Sequence, residues 1–172
     1  MLKALGMVCI LAGSTGIGIL CAAELDLRIR ELEELEQRML LLKGEIRYMH
    51  RPLPEAFLHL SAGAPPPFGD FFRHMGEELQ ERRGGTADSL WKKNMKRDLK
   101  GLHISSQEWS GLEALGGMLG YLDVEMQVNT LDHYLEQLRR SVSDAAATAE
   151  SRRKLYRYMG ALGGAALAIL IF

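Results

Sequence analysis

The sequence predicts an all-α protein: a helical bundle of about six helices flanked by N- and C-terminal transmembrane helices. Three observations carry that reading. Apolar residues recur at spacings of three and four over long stretches, and no stretch alternates with period two as a half-buried strand does. Proline, glycine and Ser/Thr/Asp stand where helices would start and stop. Both ends of the 172-residue chain are uncharged runs. The expected organisation is a first span over residues 1–23, a helical domain over 24–154 and a second span over 155–172. Bulk composition, 47% hydrophobic and 25% charged, is ordinary for one domain with its own core. A net charge of −1 leaves no basis for binding nucleic acid through bulk electrostatics.

Residues 4–23, "ALGMVCILAGSTGIGILCAA", follow Lys3 and hold no charge. Twenty helical residues rise about 30 Å, the hydrocarbon thickness of a bilayer. A cleaved signal peptide ending at Ala22–Ala23 is the rival reading, and a buried core helix the third. A lipoprotein signal fits worse, because Leu20 precedes Cys21 where a small residue is wanted. "GSTGIG" lacks the Lys-Ser/Thr ending of a phosphate loop. Cys9 and Cys21 would stand about 18 Å apart on one helix, beyond disulfide reach. The domain that follows has no cysteine.

The next segment places Leu25, Leu32, Leu35, Met39, Leu42, Ile46 and Met49 at heptad a and d positions, with Arg28 the exception. Leu40 and Leu41 widen the stripe, which predicts a helix inside a bundle. Glu24/Arg28 and Glu34/Arg38 are i,i+4 pairs in the favourable order. Pro54 opens a helix carrying Leu53, Phe57 and Leu60, and "GAPPPFG" at 63–69 links it to the next. That one buries Phe71, Phe72, Met75 and Leu79 and ends by Gly84–Gly85. Thr86 caps a helix with Leu90, Trp91 and Met95 that stops near Gly101. Ser105 and Glu108 form a capping box for a helix with Trp109, Leu112, Leu115, Met118 and Leu119. Gly116, Gly117 and Gly120 each cost about 1 kcal/mol inside a helix. That cost implies either a backbone pressed close or a bend before Asp123 caps the final helix. From there Val124, Val128, Leu131, Leu135, Leu138, Val142, Ala145 and Ala149 form an unbroken seam, in a helix expected to run straight into the second span.

The tail from Tyr158 to Phe172 is uncharged, with Arg157 and Lys154 placed to snorkel and Tyr156 and Tyr158 to sit at the interface. Gly160, Gly164 and Ala168 recur every four residues, as do Ser14, Gly18 and Ala22 in the first run, a spacing that lets helices pack closely in lipid. Arg28, Arg30 and Arg38 after the first run, and Arg139, Arg140, Arg152, Arg153, Lys154 and Arg157 before the second, outnumber Lys3 on the other side. The positive-inside bias therefore places the domain in the cytoplasm.

Catalytic chemistry finds little footing. The five histidines (His50, His59, His74, His103, His133) fall on five different elements without an i,i+4 pair, so no metal site is expected. Glu31, Glu33, Glu34 and Glu36 point around one helix as a solvated face. The basic "ERR" at 81–83 and "KKNMKRDLK" at 92–100 read as a solubilising surface, and Trp91 and Trp109 as core. No GxSxG, Cys/His nucleophile or phosphate loop occurs. The expectation is a non-enzyme with no cofactor, no metal and no small-molecule substrate. An exported helical protein with a cleaved signal peptide, or a membrane-bound enzyme with no recognisable motif, are the alternatives.

Two stretches are more specific. One is "E-I-x-Y…P-L-x-E-A", carried by Glu45, Ile46, Tyr48, Pro52, Leu53, Glu55 and Ala56. The other is "L-G-x-x-L-G-x-x-D…Q", carried by Leu115, Gly116, Leu119, Gly120, Asp123 and Gln127. With the order of elements, they make the chain resemble the stage III sporulation protein AB family of endospore-forming bacteria over nearly its whole length. The tail is richer in glycine and alanine than that family's pattern. The resemblance implies a part of the channel-like complex joining mother cell and forespore, held in the mother-cell membrane around the forespore. The family's helical domain is similar to the cytoplasmic domain of the inner-membrane platform protein of type II secretion and type IV pilus systems. There a platform relays an assembly ATPase's motion to the membrane. The implied partners are the sporulation ATPase of the same complex and the complex's other membrane subunits.

Overall fold

The computed structural model describes residues 24–81, 85–120, 123–152, 154 and 155 in full, and the backbone alone of 2–23, 153 and 156–171. It contains six helices: α1 (Leu2–Arg47), α2 (Leu53–Ser61), α3 (Phe68–Gln80), α4 (Ala87–Asp98), α5 (Ser106–Leu119) and α6 (Val124–Ile171). No strand occurs among the described residues. Among them, too, no helix is long and apolar enough to cross a membrane. The side chains of the two apolar runs expected as spans, with Ser14, Gly18 and Ala22 in the first and Gly160, Gly164 and Ala168 in the second, lie outside the described residues, so the expected helix packing there is not tested.

The chain forms two compact units. One consists of Met1–Ile29 with Ser143–Phe172, the other of Arg30–Val142. In the first, the described seam positions Ala145 and Ala149 are buried, and Lys154 pairs with Glu150 at 2.7 Å.

The second unit is the helical bundle. From α1 it buries Leu32, Leu35, Met39, Leu42 and Ile46, and from α6 Val128, Leu131, Leu135 and Leu138, as the heptad spacing requires. α2, α3 and α4 share an aromatic centre. Phe57 stacks on Phe72 at 6.1 Å, and Phe71 meets Trp91 edge-on at 4.9 Å. Aromatic pairs in this geometry add about 0.5–1.5 kcal/mol beyond their burial. The helix starts follow local chemistry. Thr86 accepts from the Ser89 amide at 3.2 Å, and Ser105 and Glu108 close a full capping box.

Several positions depart from the sequence reading. Leu40 and Leu41 do not widen the buried stripe; both are exposed, because α2–α6 cover only one side of this part of α1. Met49 lies beyond the end of α1 and is exposed, as are Met118 and Val124, while Trp109 is only half-buried. The third helix ends at Gln80, capped by Glu81, ahead of the glycine pair. Periodicity marks a face; only a neighbour makes it a core.

Candidate functional site

Both motif stretches occupy helix ends, and each closes a junction. In the first, the last turn of α1 presents Glu45 inward, with its side chain only 10% exposed. Its Oε1 lies 2.8 Å from His59 Nδ1 on α2, and its Oε2 lies 3.1 Å from Arg51 Nη1, a charge contact outside hydrogen-bond alignment. The chain then turns through His50, whose φ of 50° is left-handed, and Arg51 donates its N–H back to the Glu45 carbonyl at 3.2 Å. Pro52 caps α2, Pro54 sits in its first turn, and Ile46 and Ala56 are buried. Tyr48 points the other way. It is exposed, with the Arg47 guanidinium 5.7 Å above its ring.

The second motif joins α4, α5 and α6. Leu115 and Leu119 are buried. Gly116 on α5 and Gly120, the residue that caps its C-terminus, face Trp91 and Ala87, one turn apart on α4. A Cβ on Gly116 would stand 2.1 Å from the Trp91 ring, and one on Gly120 2.7 Å from the Ala87 Cβ. The indole N–H donates to the Leu112 carbonyl at 2.9 Å, which ties the ring to the backbone of α5. The glycines therefore admit an indole ring rather than another helix backbone at Gly116. The helix stops at Leu119, and Asp123 caps α6 by accepting from the Met126 amide at 2.8 Å. Gln127 reaches back from α6 and donates to the Leu119 carbonyl at 2.7 Å, satisfying an acceptor at the end of α5. All six motif residues thus fall within one helix–turn–helix joint. Beside it, Asp88, Lys92, Ser110, Glu113, Gly117 and Met118 line an open α4–α5 groove of about 570 Å³.

Sequence reasoning missed a set of carboxylate pins. Three of the four glutamates read as a solvated face are mostly covered and paired. Glu31 accepts from the His103 amide and lies 3.1 Å from its Nδ1; Glu34 holds Arg38 at 2.6 Å; Glu36 holds Arg139 at 2.7 Å. Arg38 is itself buried and donates to the Gly63 carbonyl at 2.8 Å, fixing the α2–α3 linker against α1. Lys43 pairs with Asp132 of α6. Three of the four basic residues of α4, Lys92, Lys93 and Arg97, are likewise engaged. Lys92 pairs with Asp88, and Lys93 and Arg97 converge on Glu78 of α3. Asp98 sits between Arg97 at 2.9 Å and His74 at 3.0 Å. Burial alone would push the Asp98 carboxyl up; hydrogen bonds from Arg97 and His74 outweigh it and hold the group below the usual carboxylate range. Glu78 behaves the same way, with burial overcome by Lys93, Asn94 and Arg97. Burial and the nearby Glu108 charge push the Tyr134 hydroxyl upward, and it stays protonated.

Among the described residues no group of three or more His, Cys, Asp or Glu could hold a metal ion. What this geometry provides is firm positioning of helix ends. The model of the stage III sporulation protein AB family matches residues 3–172. The chain belongs to that family. The stage III sporulation protein AB of Bacillus subtilis (strain 168) is 27% identical over 171 residues, covering 99% of each chain. A solved structure of stage III sporulation protein AB (SpoIIIAB) is similar with a TM-score of 0.65 at 24% identity. It covers 72% of this chain and 97% of that one, and speaks to the fold alone. Within the family's frame, the joint and the carboxylate pins are the parts of this chain with defined geometry.

Proposed function

We propose that this member of the stage III sporulation protein AB family is a non-enzymatic platform. Both ends anchor it in the mother-cell membrane around the forespore, and its helical domain faces the cytoplasm. One observation carries the reading. The two uncharged runs are not separate elements but continuations of α1 and α6, the helices that also supply the heptad seams of the domain. Cleavage after Ala23 would cut through the middle of α1. A helix that carries a domain seam and also leads into an uncharged run, at each end, suits a part that links a cytoplasmic machine to the membrane. The partners are the sporulation ATPase of the same complex and its other membrane subunits, within a secretion-like channel assembly.

The experiment is a pull-down of the full-length chain in detergent against the purified ATPase, with and without nucleotide. Retention of the ATPase in at least one nucleotide state is the expected result. Retention in neither state, with both proteins folded, refutes the docking role.

A further inference from the structure

We draw no further inference here: the strongest candidate, the open groove between α4 and α5 lined by Asp88, Lys92, Glu113, Gly117 and Met118, carries nothing, because its lysine is already paired with Asp88 inside the groove and nothing in the structure shows what covers it.

Discussion

Gly116 and Gly44 are both helix-interior glycines, and the same substitution acts on them in opposite directions. Alanine at Gly116 gains about 1 kcal/mol of helix propensity but drives a methyl group to 2.1 Å from the Trp91 ring. The indole cannot yield, because it is buried against Phe57 and Phe71 and tied to Leu112. Overpacking a well-filled core costs roughly 1–3 kcal/mol, so Gly116→Ala is expected to destabilise by about 2 kcal/mol. Alanine at Gly44 meets nothing and is expected to stabilise by about 0.5–1 kcal/mol. Thermal denaturation of the two variants side by side checks both signs. The sequence exposes the cost of a mid-helix glycine at either position. It does not say which neighbour justifies that cost, because Trp91 reaches Gly116 only through the packing of two helices.

At the scale of elements, junctions matter more than helix interiors. The α5–α6 joint depends on two side chains that were legible as a pattern, Asp123 as the cap and Gln127 four residues on. The role of Gln127 emerges only when α6 folds back to reach Leu119. Asp123→Ala should cost about 1 kcal/mol from the lost cap, and Gln127→Ala about 1 kcal/mol from the lost hydrogen bond. Asp123→Asn should lose far less, and urea unfolding distinguishes the three. The α3–α4 junction responds instead to acid. Glu78 and Asp98 have carboxyls held below their unfolded values, so the stabilisation is full above about pH 4 and is lost as pH falls through the folded values. With Arg97 40% exposed and therefore screened, each group contributes on the order of 1 kcal/mol. Melting temperatures recorded from pH 7 down to pH 3 should fall less steeply for Glu78→Gln/Asp98→Asn than for the parent chain. Equal slopes would show that these pairs do not govern the acid limb. None of this network stands out in the sequence. His74 and Asp98 lie 24 residues apart, and Glu31 and His103 lie 72 apart, with no periodicity to link them.

For the whole molecule, the heptad arithmetic carried furthest where repetition was longest. The buried positions of α1 from Leu32 to Ile46 and of α6 from Val128 to Leu138 follow from spacing alone, as does the order of six helices. Spacing failed at Leu40, Leu41 and Met118, which are apolar yet face outward, because residue type reports what a side chain prefers and not whether a neighbour is supplied. The largest untested consequence concerns the uncharged ends. If 4–23 and the final run lie in lipid, the chain should stay with the pellet when membranes are washed in alkaline carbonate. Neither span is strongly apolar by itself, so a chain lacking either run should be extracted more readily than the parent and one lacking both should be fully soluble. When the chain is made in vegetative cells, where the only membrane faces the medium, protease added to intact cells should leave the 24–154 segment whole, and digest it once the membrane is opened. Release of the intact chain by carbonate would remove the anchors. Digestion in intact cells would place the helical domain on the other side of the membrane, away from any cytoplasmic ATPase.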